Sequence, residues 1–390
     1  MAKDSEGQSV RDYGERKKRI KRRRNLVIGI AIIALLVGGS IYIYNLYNKN
    51  YNGFEVLKTM DNQVENGAQY LRYGSGVLKY SKDGATAIDK EGKLKWNGSY
   101  EMKQPIADVC GNYAVVADQG GTSIQIFDEK GIAGSISTVY NIIKVEVANQ
   151  GVVYALQEAE GQNYIFLYDI DGTVLGEKVT SMSDDGYPID ISISDDGLKL
   201  ITSYLTVNTG EMTGIASFYN FGEVGQNWID NLVGGFKFEG IIAPRVFFSN
   251  NDTACVFKEN GFMLIEYSEM PKVIKEISFE NKIESILHSD KYVGVVLDAG
   301  EAGYSELVIY NLKGDKVLDK KLDFDYREIN LEGEEIIMYD NVSCIVMKMN
   351  GTVKFSHTFD SNIVALYPIN DLDQYYYVSD KEIAQISLVE

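Results

Sequence analysis

Eight acidic residues recur along the chain at Asp83, Asp118, Glu160, Glu211, Glu259, Asp298, Asp340 and Asp380. Each falls between two apolar runs, where a hairpin would join the second and third strands of a repeating unit. A ring of carboxylates on one side of a domain would attract cations or a basic partner through its summed field. Solvated turn acids are the plainer reading in so acidic a region. A second candidate surface is aromatic. Trp228 and Phe236 lie in NWIDNLVGGFKFEGIIAP, the longest stretch between clear strands. Glycines beside aromatics suit a loop that offers a binding surface, whereas packing between repeats would bury both rings.

Other reactive side chains are sparse. His288 and His357 are far apart, each in or beside an apolar run, which fits buried or rim imidazoles better than a catalytic pair. No nucleophile elbow, zinc-protease helix or phosphate loop is present. Cys110, Cys255 and Cys344 are an odd, scattered set flanked by apolar residues, as buried thiols are, and form no disulfide framework. Asp169-Ile-Asp171-Gly172 and Asp195-Asp196-Gly197 resemble pieces of calcium loops but lack the spaced ligands and the distal glutamate. We therefore expect no catalytic residue, no metal site and no cofactor.

Charge and hydropathy place these residues. The chain has 390 residues with 38 basic and 56 acidic side chains. Residues 1–24 carry 10 basic and 4 acidic groups, leaving 28 and 52 in the remainder. That remainder would repel phosphate, so a nucleic-acid partner is not expected. Residues 25–48 hold no charge, and the run from Leu26 to Tyr47 reads LVIGIAIIALLVGGSIYIYNLY. At about 1.5 Å per residue it spans roughly 33 Å, enough for a hydrocarbon core of about 30 Å. Tyr42, Tyr44 and Tyr47 sit at its downstream end, where amphipathic rings favour the interface. The cluster from Arg16 to Arg24 precedes it, which predicts a cytoplasmic N-terminus and an extracytoplasmic remainder at the plasma membrane. The expected organisation is a basic cytoplasmic segment over 1–24, a transmembrane helix over 25–48 and an extracytoplasmic domain over 49–390.

The outer region repeats. An apolar strand, an Asp or Asn, a turn residue and a second strand recur around Gly92, Gly131, Gly172, Gly222, Pro271, Gly314 and Gly351, spaced 37 to 50 residues apart. Asp and Asn bond the turn's own backbone, and Gly accepts a positive φ at the reversal. Two further apolar runs precede each hairpin, for example IADVC and YAVVAD, VEVAN and VVYALQ, IDISISD and LKLITSY. Four strands in about 43 residues is the period of a propeller blade, whose sheet cannot bury both faces without neighbours. The last set, ending in EIAQISLV, lacks a fourth strand, while Phe54-Glu55-Val56-Leu57 is a strand without a unit. Pairing the two would close a ring and remove its open edge. The expected fold is all-β, an eight-bladed β-propeller (seven-bladed as the alternative) behind one transmembrane α-helix. The few residues from Lys49 to Gly53 would hold it close to the membrane.

Ala87, Asp89, Gly92 and Trp96 match in part the Ala-x-Asp, turn glycine and docking tryptophan of quinoprotein repeats. The chain resembles membrane-anchored propellers of the quinoprotein-like or WD-repeat-like type. It is similar to an uncharacterised domain-of-unknown-function family of single-pass proteins in Gram-positive bacteria. The Thr of the quinoprotein pattern and the adjacent cysteine pair of quinone sites are missing, so the resemblance implies the fold and no quinone chemistry. It implies a non-enzymatic binding or scaffold protein at the cell surface, with a protein or cell-wall polymer as partner. The alternative is an extracytoplasmic, glycan-acting enzyme using carboxylates near the channel.

Overall fold

The computed structural model describes residue 21 and residues 23–40, 49–60, 67–183, 185–298, 300, 304–370 and 372–390. Arg23–Ser40 is an apolar helix near the N-terminus, long enough to cross a membrane, and none of it is buried against other parts of the protein. Such a helix suits an anchor or a signal sequence. The rest of the basic cluster, residues 16–20 and 22, and the interfacial Tyr42, Tyr44 and Tyr47 lie outside the described residues.

The second compact unit, Tyr51–Glu390, contains eight four-stranded antiparallel sheets. Blades 1 to 7 span residues 69–99, 105–137, 141–181, 187–239, 245–278, 283–322 and 328–358, each strand pairing with the next in sequence. First strands of neighbouring blades lie against one another, so they form the wall of the central channel. The apolar pattern explains the layering. Second strands such as Tyr113–Asp118 are buried on both faces, with Ala114, Val115, Val116 and Ala117 inaccessible to solvent. Fourth strands such as Leu94–Ser99 alternate between buried and exposed positions, as an outermost strand must.

The core is divided among the seams. Each of eight hydrophobic clusters joins two neighbouring blades: Trp96 of blade 1 with Phe127 of blade 2, for example, or Ile201 of blade 4 with Val256 of blade 5. Trp96 stacks on Phe127 at 4.7 Å with the planes 3° apart. No blade buries its faces alone, which is why the repeats depend on closure. Lysines on fourth strands reinforce the seams. Lys58 and Lys275 donate to the turn carbonyls of Gly92 (2.8 Å) and Gly314 (2.9 Å) on the following blade, and Lys320 does the same to Gly351.

The turn chemistry follows the composition. In the hairpin around Gly92, the Asp89 carboxylate accepts the N–H groups of Glu91 and Lys93 at 3.0 and 2.8 Å, and Gly92 has φ +69°. Asn311 repeats this with Lys313 and Asp315 at 3.0 and 2.9 Å.

Blade 8 draws on both ends of the domain. Ile363–Pro368, Gln374–Ser379 and Ile383–Val389 supply its first three strands, and Gly53–Met60 supplies the fourth. Gly53 pairs with Val389 and Met60 with Ile383, with one slip in register between Val56 and Lys58. Phe54 then packs on Phe359 and edge-on to His357 at 5.1 and 5.0 Å. The ring has eight blades rather than the alternative seven.

Blade 4 departs from the expected pattern. The stretch expected as one long loop contains a fourth strand, Leu232–Glu239, which carries Phe236. Phe236 is half-buried and meets Phe218 edge-on at 5.6 Å, so it belongs to the sheet's packing. Only residues 221–231, with Trp228 among them, form the connection.

Candidate functional site

Three regions could meet a ligand: the channel and the two rims. The channel is built by alternation along first strands. Pro105–Cys110, Asn141–Val147, Tyr187–Ile193 and Arg245–Asn250 place Asp108, Lys144, Glu146, Asp190 and Arg245 on one cavity of about 550 Å³, which His288 of the adjacent blade 6 also lines. A neighbouring cavity of about 440 Å³ is lined by Arg72, Asn330, Glu332 and Tyr367 and shares Asp108 and His288 with the first.

The channel acids hold strands together. Asp108 of blade 2 accepts the Val147 N–H of blade 3 at 2.8 Å. Glu146 of blade 3 accepts the Ile193 N–H of blade 4 at 2.8 Å. Asp190 of blade 4 accepts the Val246 N–H of blade 5 at 2.9 Å. Three successive seams thus use the same device, in which a carboxylate satisfies a backbone donor of the next blade. Lys144 sits among them, its Nζ 2.6 Å from Asp190, 2.9 Å from Glu146 and 2.6 Å from the Ile191 carbonyl. Removal from water raises the Asp108 carboxyl above its ordinary value and lifts Glu146 to about 7, although Lys144 draws both down. Burial, then the Lys144 and Arg245 charges, push His288 down to about 4, so its imidazole is neutral at pH 7. His288 stacks on Phe247 at 4.0 Å.

A carboxyl near pH 7 is a proton-transfer group in principle. Both Glu146 oxygens are occupied, however, by Lys144 and by the Ile193 N–H. Cys110, 3.8 Å from Asp195, is no nucleophile, because burial lifts its thiol to about 12. Among the described residues, no His, Cys, Asp and Glu group has the arrangement of a metal site.

The sequence acids lie on one rim. Asp83, Asp118, Glu160, Glu211, Glu259, Asp298, Asp340 and Asp380 all fall in or beside hairpins between second and third strands. The antiparallel order puts these hairpins on the same rim as the blade-to-blade connections. Half of the set is engaged in local structure. Asp118 accepts the N–H groups of Lys103 and Gln104, both at 2.8 Å. Asp340 accepts those of Val342 and Ser343, Asp298 that of Gly300, and Asp380 bonds the Asn362 amide. Asp83, Glu160, Glu211 and Glu259 are exposed.

Trp228 lies on the opposite rim, where third strands turn into fourth. It is 46% exposed, beside Ile229 at 88%. The aromatic pair expected from sequence is thus divided: Trp228 is at the surface, Phe236 is in the sheet, and Ile229 is the missing partner. The channel acids also escaped sequence reading. Their signal was an acid flanked by apolar residues in the first strand of three consecutive repeats, at Asp108, Glu146 and Asp190.

The sequence model of a family of unknown function (DUF5711) matches residues 47–388. No curated protein matches the chain. Among solved structures the chain is similar to Sqt1 from Saccharomyces cerevisiae, with a TM-score of 0.55 and 12% identity over 87% of this chain and 99% of that one. It is also similar to BamB from Moraxella catarrhalis, with a TM-score of 0.52 and 12% identity over 86% and 100%. At such identities the likeness is one of fold.

Proposed function

Because the chain belongs to the family of unknown function DUF5711, a propeller with one candidate membrane helix, we propose that it is a non-enzymatic binding or scaffold protein, anchored by residues 25–48 with its propeller outside the cell. The observation that carries this reading is the use made of the channel acids. Asp108, Glu146 and Asp190 are committed to backbone donors of the next blade. The exposed acids Asp83, Glu160, Glu211 and Glu259 lie on a rim, where a protein or wall polymer with basic groups could reach them. The basic segment before the helix supports a cytoplasmic N-terminus.

One observation favours the glycan-acting alternative: Glu146, lifted to about 7, borders a cavity of useful size. The two readings separate in one experiment. The full chain is crosslinked in its own membrane, solubilised and purified, and its companions are identified. A specific extracytoplasmic companion, retained by a Glu146→Gln variant, supports the scaffold. Release of wall glycan by the purified chain, lost in Glu146→Gln, would overturn it.

A further inference from the structure

The connection between the third and fourth strands of blade 4 is unlike its counterparts. Elsewhere a tight turn suffices. Here residues 221–231 make two short 3-10 turns, Gly225–Asn227 and Ile229–Asn231. Asp230 and Asn231 adopt left-handed backbone at φ 55° and 59°. Asp and Asn are the non-glycine residues that adopt this conformation most readily, so the local sequence sets the kink. The kink leaves Trp228, Ile229 and Leu232 together at the surface, with Met270 and Val273 exposed on blade 5. Pro271 of blade 5 lies against Gly234, so the two groups adjoin. An isolated exposed Leu would mean nothing, but a tip with Ile229 this bare beside Trp228 is an interaction feature.

Topology supplies the occupant. In blade 8, Val389 ends the third strand and Gly53 opens the fourth, so the chain enters the propeller on the rim where third strands turn into fourth. Trp228 is on that same rim. Blade 4 is halfway around an eight-membered ring from blade 8. Between the end of the apolar run at Tyr47 and Gly53 there are five residues, which reach at most roughly 17 Å when extended. A short tether on this rim keeps the rim within reach of the bilayer, so an exposed apolar tip on the same rim has lipid available to it. Trp is the side chain favoured at headgroup depth, and an aliphatic neighbour adds burial below it.

We propose that the Trp228–Ile229 tip docks on the lipid surface, giving the propeller a second point of attachment opposite its tether. The proposal rests on the anchored, extracytoplasmic reading above. Attachment is by apolar insertion, because Glu223, Asp230 and Glu269 border the tip and the adjacent cation, Lys178, is already paired with Asp230 at 3.2 Å. The acidic rim then faces away from the membrane, toward wall or partner.

The test uses the full chain reconstituted in phosphatidylcholine vesicles, with and without brominated acyl chains. The protein has two tryptophans, and Trp96 is buried in a blade seam. Brominated lipid should dim the parent's emission, Trp228→Phe should lose that dimming, and Ile229→Glu should reduce it. Sedimentation with the vesicles reports the anchor separately. A chain that fails to sediment with vesicles overturns the anchored reading. One that sediments but whose Trp228 emission is untouched by bromine, or is shielded by crosslinking to a second copy, overturns lipid docking.

Discussion

Arg72 and Glu332 meet at 2.9 Å, although blade 8 stands between the blades that carry them. The pair joins blade 1 to blade 7 at the channel, while Gly53–Met60 completes blade 8 at the periphery. Burial raises the Glu332 carboxyl, and Arg72 opposes that rise. The ring is therefore fastened at two radii, and the two fasteners are unequal.

Loss of the outer fastener should be the more damaging. Deleting residues 49–59 removes most of a paired strand and the contacts of Phe54, and should strip the domain of cooperative unfolding. Phe54→Ala alone should lower stability by about 2 kcal/mol, less than a fully buried phenylalanine because the ring is half-buried. Glu332→Gln should cost less than about 1 kcal/mol, since Arg72 remains partly solvated. Denaturant melts rank the three, and an unchanged midpoint for the deletion would refute the closure.

Asp190 should be the most sensitive acid in the channel. It is 1% exposed and serves both Lys144 and the Val246 N–H. Asp190→Ala orphans a backbone donor and leaves Lys144 short of one partner, a loss of about 3 kcal/mol. Asp190→Asn keeps an acceptor for Val246 and should cost clearly less. Equal midpoints for the two variants would show that the backbone bond contributes nothing.

Glu146 and His288 should give opposing pH dependences. With its folded pKa raised from 4.5 to about 7, Glu146 binds more protons in the folded state, so it makes stability fall as pH rises through that window. Asp108, also raised, acts in the same sense. His288, lowered from 6.5 to about 4, binds fewer protons when folded, so it makes stability rise over that range. The Lys144 charge lowers both groups, Asp108 raises Glu146, and Arg245 and Asp190 act on His288 in opposite senses. Between pH 4.5 and 6.5 the Glu146 and His288 slopes should offset each other, leaving the parent the fall that Asp108 contributes. Relative to the parent, Glu146→Gln should tilt the profile toward a rise, and His288→Phe, which keeps the stack on Phe247, should steepen the fall. Each slope is at most about 1.4 kcal/mol per pH unit per proton. Chemical denaturation across pH reads both, and parallel profiles for the two variants would contradict the assignment.

The acidic rim can be neutralised without disturbing its turns if the right members are chosen. Asp83→Asn, Glu160→Gln, Glu211→Gln and Glu259→Gln together should shift stability by no more than about 0.5 kcal/mol each. Asp118 is left intact because it secures the entry to blade 2. Capture of a basic partner by the full chain should weaken in this variant, and added salt should weaken it in the parent. Undiminished capture would leave the rim with solubility as its role.

The repeat and the closing strand were legible because turns announce themselves locally. Asp89 and Gly92, or Asn311 and Gly314, are chosen by backbone demands that reach no further than four residues. The rim acids were legible for the same reason. Asp108, Glu146 and Asp190 were not, since each looks like one polar residue in an apolar strand until the neighbouring blade brings its N–H. The same holds for Lys58 and Lys275, whose acceptors lie on the following blade. Phe236 was misplaced because Gly234 and Gly235 suggested a loop, whereas they let the strand pass close to Pro271 of blade 5 and the Ala216 carbonyl.

The pairing of Gly53 with Val389 also sets an order in time. The first strand of the propeller to leave the ribosome is the last to find its place, since its partner is made at the other end of the domain. Until Ile383–Val389 arrives, Gly53–Met60 has an unpaired edge, and Phe54 has no blade to cover it. Seven blades can assemble in sequence, but the ring locks in a single late step whose loop-closure entropy is that of nearly the whole domain. A chain halted short of its final strand would leave that edge open to pairing with other chains. Closure thus doubles as a check that the last strand of the ring has been made.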